Sequence, residues 1–302
     1  MFRRMIVMGC VLVACGMAWG QESDVTTIRT TTTSQGEDLL SQLWFMEDAT
    51  PLDAGQFDLR LGFNWVTESR HANLGETSDN FVLTPAIVWG ACEDLELSLS
   101  VDNWLGDSGD MGPYEDGNHD TTVGMLWRIH EQTGSCAEGC ITRPSVALSS
   151  SARIPTGCGS EGVDGELRLI MTRDYDSGIR SHLNVFGKSV DGGNQDLVSG
   201  WSLFGWLGGD DDYLDARHFQ WGAVLGADGP LCDDGAVRWV ADYLHQSSRV
   251  DGRGDMDILE LGWEWTMSEM HKLGMSMQAG LDHMDDNPNF GAGMMYAMSI
   301  GG

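Results

Sequence analysis

The residues able to do chemistry in this chain are charged side chains set at every second position of otherwise apolar stretches. Asp58, Arg60, Glu96, Asp102, Arg128, Arg153, Glu166, Arg168, Lys188, Arg238, Asp242, Glu260, Glu264 and Asp282 all follow this rule. Brought to one face of a sheet that closes on itself, they would pair across a narrow polar interior. The acidic residues there favour cations or neutral polar solutes, and the six bases among them oppose a strict preference. Two readings stay open: the charges hold the shape through salt bridges and hydration, or they select what enters.

Other clusters offer less. Gly209-Asp210-Asp211-Asp212-Tyr213-Leu214-Asp215 and the stretch 282–289 supply hard oxygen ligands of the kind Ca²⁺ or Mg²⁺ takes, but neither has the spacing of a calcium loop. They read as solvated acidic loops, and no metal site or cofactor is expected. Cys136 and Cys140, separated by Ala137-Glu138-Gly139, are expected to form a local disulfide, since a metal would need more ligands than this pair offers. His245 and Ser150 share the outward parity of their segments but belong to strands far apart. No Gly-x-Ser-x-Gly elbow, His-Glu-x-x-His or phosphate loop accompanies them, so the chain is not expected to be an enzyme.

The elements that must position these charges are strands. In Phe57-Asp58-Leu59-Arg60-Leu61-Gly62-Phe63-Asn64-Trp65 every odd position is apolar, and from 257 to 267 Leu259, Leu261, Trp263 and Trp265 alternate with Glu260, Gly262, Glu264 and Thr266. A period of two is that of a strand. Read this way, the chain gives twelve strands, near 55–67, 79–91, 94–105, 118–131, 144–154, 163–175, 179–190, 217–228, 235–248, 255–267, 271–284 and 288–300. Most exceed the five or six residues usual in soluble sheets and suit tilted bilayer crossings. Short links near 91–94, 175–178 and 268–271 alternate with longer ones at 68–78, 106–117 and 191–216, as in barrels with short periplasmic turns and long outer loops. Trp65, Phe81, Trp89, Trp104, Phe219, Trp221, Trp239, Trp265 and Phe290 fall toward strand ends, where a membrane barrel places its aromatic girdles. The fold expected is therefore all-β, an antiparallel up-and-down transmembrane barrel of about twelve strands. A soluble β-sandwich would also alternate, but gains nothing from tryptophan at its strand ends.

At the N-terminus Phe2-Arg3-Arg4-Met5 precedes the apolar run from Ile6 to Ala14, and Ala18-Trp19-Gly20 provides a cleavage site. Residues 1–20 thus read as a secretory signal, too short to span a bilayer as a helix. Leu12-Val13-Ala14-Cys15 also fits a lipobox that would leave Cys15 lipidated. Residues 21–54 form an N-terminal segment, partly disordered around its threonine run, that either plugs the interior or rests in the periplasm. Residues 55–302 form the barrel. Removing Arg3 and Arg4 takes the net charge from −29 to −31, which excludes nucleic acid as a partner for the protein as a whole. Five cysteines, Cys92, Cys136, Cys140, Cys158 and Cys232, lie beyond residue 20, an odd number that cannot all be paired within one chain.

Several segments together resemble the outer-membrane barrel family named for the MetA pathway of phenol degradation, a transporter type. The residues that carry the resemblance are Phe57 to Phe63, the strand-turn-strand from Trp89 to Leu99, the stretch from Ala147 to Gly157 with Ile154-Pro155-Thr156-Gly157, and Leu259-Glu260-Leu261-Gly262. The resemblance covers roughly residues 55 to 300. It departs at the end, where Ile300-Gly301-Gly302 stands in place of a terminal aromatic. It implies an outer-membrane channel for passive passage of small solutes, hydrophobic or aromatic compounds among them. The expected partners are outer-membrane lipid, a small-molecule solute and the barrel-assembly machinery. A structural or adhesive surface barrel and an outer-membrane lipid hydrolase are the alternatives.

Overall fold

A backbone that crosses hydrocarbon must satisfy every N–H and C=O internally, and a sheet does so only by closing on itself. The computed structural model describes residues 45–70, 77–107, 120–133, 143–157, 163–189, 219–232, 235–248, 254–281 and 290–301, and it contains such a closed sheet. The strands are β1 (Phe57–Arg70), β2 (Thr77–Cys92), β3 (Leu95–Val101), β4 (Asn103–Asp107), β5 (Thr121–His130), β6 (Ser145–Ile154) and β7 (Asp164–Asp174), followed by β8 (Arg180–Ser189), β9 (Phe219–Pro230), β10 (Val237–Gln246), β11 (Met256–Ser268), β12 (His271–Gly280) and β13 (Phe290–Ile300). Neighbouring strands pair antiparallel, with β4 joined to β2 and β5 to β3, and β1 closes the ring against β13, from Phe57 opposite Ile300 to Thr67 opposite Phe290.

β3 and β4 are two parts of one barrel strand. Both pair with β2, and they are interrupted at Asp102. The Thr84 hydroxyl donates to the Asp102 carboxylate at 2.7 Å, while the Asn103 side-chain amide donates to the carbonyls of Leu83 and Val101 at 3.1 and 3.2 Å. Side-chain groups thus stand in where the ladder is broken. The ring therefore has twelve staves, each matching one of the twelve alternating segments. β1 and β2 run past the expected ends, to Arg70 and from Thr77.

The register separates the faces. Leu261 is 54% exposed and Glu260, its neighbour, 1%. Leu59, Leu99, Leu169, Trp221, Leu259 and Met277 share the outward parity of Leu261 on their own strands. An exterior of leucine, methionine and tryptophan around an interior of charge inverts the arrangement of a soluble protein and fits a lipid solvent. Outside, Phe57 stacks on Trp89 at 5.9 Å near the short-turn rim. Phe63, Trp65, Phe81 and Phe290 cluster toward the opposite rim with centroids 6.0 to 6.2 Å apart.

A cation placed in the outward register meets hydrocarbon, at a cost of about 2 to 4 kcal/mol near the midplane. Leu261→Arg should therefore strongly reduce the folded, heat-modifiable band on gels of outer-membrane fractions, and Glu260→Gln should leave it intact. Equal loss from both would show that the register is reversed.

Candidate functional site

The interior of the ring is a lumen filled by inward side chains and by residues 45–56, which run across it before β1 begins. This stretch has no strand partner there, so its backbone donors bond to lumen side chains. The N–H groups of Met46, Glu47, Ala49 and Leu52 donate to Asp242 Oδ2 (3.4 Å), Asn184 Oδ1 (2.6 Å), Thr172 Oγ1 (3.0 Å) and Glu96 Oε2 (3.0 Å), in that order. Asn184 Nδ2 donates back to the Glu47 carbonyl at 3.0 Å, and Arg168 Nη1 donates to the Phe45 carbonyl at 2.9 Å. The strap thus passes from β10 by way of β8 and β7 to β3. It leaves the lumen where Gly55 N–H donates to the Gly90 carbonyl of β2 at 2.7 Å. Gly90 is small by necessity, because a Cβ there would strike the Asp53 backbone.

Side chains of the strap are buried as deeply as its backbone is bonded. Phe45 packs against Phe186, Val224, Leu244, Met256 and Ile258, all inward-facing. Ala49 joins Leu126, Ala147 and Ile170. The lumen therefore carries an apolar wall on β8 to β11, which the charged residues alone did not reveal.

Toward the short-turn rim, Asp228 of β9 gathers three bases. Arg180 donates from Nε and Nη2 at about 3.0 Å, His182 Nε2 lies 2.7 Å away, and Arg238 Nε donates at 2.8 Å. Arg180 Nη1 reaches on to Asp48 of the strap at 2.7 Å. His182 Nδ1 lies 3.1 Å from Thr172 Oγ1, the acceptor of the Ala49 N–H. The His182 ring thus bridges Thr172, which takes the Ala49 N–H, and Asp228. Higher up, Arg168 donates to Glu166 at 3.0 Å and lies 4.6 Å over the Phe186 ring.

The structure places Asp58, Arg60, Glu96, Asp102, Arg153, Glu166, Arg168, Lys188, Asp242, Glu260 and Glu264 buried inside the ring. Arg128 and Arg238 sit half-buried at the short-turn rim. Arg128 donates to Asp94 at 2.8 Å and to the Glu93 carbonyl at 3.1 Å, and so braces a turn rather than lining the lumen. Asp282, Cys136 and Cys140, the acidic stretch 209–215, the signal and lipobox residues and most of the 21–54 segment lie outside the described residues. Arg180 and His182 share the parity of Lys188 and were open to detection on that ground. Asp228 lies on a strand where apolar residues occupy both faces and gave no such sign. The Ile-Pro-Thr-Gly element ends β6. Pro155 has no N–H to extend the ladder, and the N–H groups of Thr156 and Gly157 donate to Asp120 Oδ1, whose other oxygen accepts from Arg153 at 2.7 Å. His245 and Ser150 lie on β10 and β6 with three strands between them. His245 Nδ1 instead meets Asp257 at 2.9 Å, beside the ring of Trp221.

A solved outer-membrane channel shares this fold. An outer-membrane channel from Pseudomonas putida F1 superposes with a TM-score of 0.58 at 13% identity, over 84% of this chain and 98% of that one. The translocator domain of the autotransporter NalP from Neisseria meningitidis gives 0.49 at 10% identity over 83% and 90%, and the NanC porin 0.48 at 8% over 81% and 99%. At such identities the likeness is one of fold. No protein-family model and no curated protein matches the chain.

Removing Asp228 leaves three bases without their carboxylate in a buried site, which costs about 3 to 5 kcal/mol. Removing Asp94, the half-exposed partner of Arg128, costs about 1 kcal/mol or less. In thermal unfolding of the detergent-solubilised protein, Asp228→Ala should lower the midpoint far more than Asp94→Ala. Similar shifts would show that the buried hub contributes no more than a surface pair.

Proposed function

We propose that the chain is an exported outer-membrane channel for passive passage of small solutes with apolar surface, and that residues 45–54 close its lumen in the state described. The observation that carries this reading is the apolar wall inside a charged lumen, Phe186, Val224, Leu244 and Ile258, covered by the Phe45 ring. A barrel that merely needed shape would fill its interior with paired charge. An uncovered apolar wall gives a solute carrying a ring or short chain somewhere to lie as it crosses.

The charges around the wall support a weak preference beyond it. Arg168, Arg180 and Asp228 are engaged by partners and by the strap, which favours their holding the strap in place over contacting solute. The resemblance to the MetA-pathway barrels points to the same solute class. Export through a signal over residues 1–20 and assembly by the barrel machinery belong to this reading, as does a bilayer exterior.

Deleting residues 45–54 together with the segment before them, while keeping the signal, removes the strap without touching a strand. In planar bilayers the shortened protein should show conductance several-fold above that of the full chain. In vesicles it should speed uptake of a small neutral aromatic alcohol. A barrel that assembles, by its heat-modifiable migration, yet neither conducts nor admits the alcohol would leave only a structural role.

A further inference from the structure

One row of the lumen wall is left electrostatically incomplete. Asp242 of β10 stands opposite Glu260 of β11, and Glu260 opposite Gln278 of β12. All three are at least 98% buried. No well-formed hydrogen bond reaches Asp242 Oδ1, either oxygen of Glu260 or either polar atom of Gln278 from the described residues; the Ser276 side chain and the Phe45 N–H act on Glu260, and the Phe45 N–H on Asp242, short of such geometry. Like charges directly across a ladder repel, and a buried carboxylate without a counter-charge is unfavourable. Arg168, whose charge acts on Asp242 across the lumen, already donates to Glu166 and to the Phe45 carbonyl.

Immediately beside this row lies the apolar wall. Leu244 follows Asp242 by two residues, and Ile258 precedes Glu260 by two, so all four face the lumen from the same two strands. The strap occupies both halves at once. The Phe45 ring lies on the wall, and the Met46 N–H reaches Asp242 over a long 3.4 Å, with the Met46 side chain against Gly226. The strap thus imitates a molecule with an apolar body and a hydrogen-bond-donating head, and imitates it imperfectly: its Met46 N–H is held at 3.4 Å and its Phe45 N–H makes no well-formed bond, while five polar atoms of the row stay without one.

Resting on the reading of the lumen as a passage, we propose that Asp242, Glu260 and Gln278 with the adjoining wall form a binding site for amphiphilic organic cations. A primary ammonium places three N–H donors on the carboxylates and the Gln278 carbonyl. Its ring or chain takes the place of the Phe45 side chain against Leu244, Ile258 and Phe186. An inorganic ion fits less well. The described residues hold no group of three acidic, histidine or cysteine ligands, and a hydrated ion would leave the apolar wall uncovered.

The test is calorimetric titration of the full-length protein in detergent with probes that share a phenyl ring: 2-phenylethylammonium, 2-phenylethanol and 3-phenylpropionate, with sodium and magnesium chloride as separate arms. A hydrogen-bonded charge adds enough that the ammonium should bind roughly tenfold or more tightly than the alcohol, and the carboxylate more weakly than either. Asp242→Asn combined with Glu260→Gln should erase the gap between ammonium and alcohol, and Phe45→Ala should strengthen both. Equal binding of ammonium and alcohol in the unmodified protein overturns the proposal without recourse to any variant. So does displacement of the ammonium by magnesium at equal concentration, or no binding of ammonium to either the unmodified protein or Phe45→Ala. Passage of the neutral alcohol through the strap-deleted barrel would stand in each of these cases, so failure of the cation site and failure of the channel reading are separable.

Discussion

The constraint from which the rest of this structure follows is that no backbone N–H or C=O can remain unpaired in hydrocarbon. Closing β1 on β13 leaves no edge, and once the ring is closed the pleat sends alternate side chains to lipid and to the interior. The outward set has only to be apolar. The inward set has the harder task, because a ring of twelve staves encloses more space than short side chains fill. That space is occupied here by long charged residues and by a piece of the chain's own N-terminal region.

The strap and the charges depend on each other. Residues 45–56 cross the lumen without a ladder, so the donors of Met46, Glu47, Ala49 and Leu52 need side-chain acceptors, and Asp242, Asn184, Thr172 and Glu96 supply them from four different strands. In return the strap's Asp48 completes the shell of Arg180, and its Phe45 carbonyl occupies Arg168. Charges that would be costly alone in a narrow lumen become tolerable as a network. The row Asp242, Glu260 and Gln278 is less complete, for there the strap brings apolar bulk and only weakly formed hydrogen bonds.

Much of this was legible in the sequence, for a physical reason. A two-residue period cannot slip by one without exchanging lipid for lumen, so segments such as 57–65 and 257–267 declare both strand and face. The interruption at Asp102 was not legible, since Thr84 and Asn103 mend it from positions that look like ordinary strand. The apolar lumen wall was hidden for a different reason. On β9 Val224 sits at inward parity between Ala223 and Leu225, which are also apolar, and on β10 Leu244 sits between Tyr243 and His245, so the alternation fades or reverses where the interior is itself hydrophobic. Residues 45–56 have no periodicity because their partners lie more than a hundred positions away on β7, β8 and β10, and nothing local encodes that. Arg128 obeyed the inward parity, yet a register shift before His130 and the nearby Asp94 turn it to the rim.

The central claim is that the strap lies in the lumen of the assembled protein and can leave it. Ala49 and Thr172 meet there, with 3.0 Å between the Ala49 nitrogen and the Thr172 hydroxyl oxygen. The most direct measurement is disulfide formation between Ala49→Cys and Thr172→Cys in intact outer membranes, in a background with Cys92, Cys136, Cys140, Cys158 and Cys232 replaced. The account predicts a crosslink under mild oxidation and loss of aromatic-alcohol uptake while it is closed, with both effects reversed on reduction. Failure to crosslink, with Ala49→Cys freely modified by a bulky water-soluble thiol reagent, would contradict it.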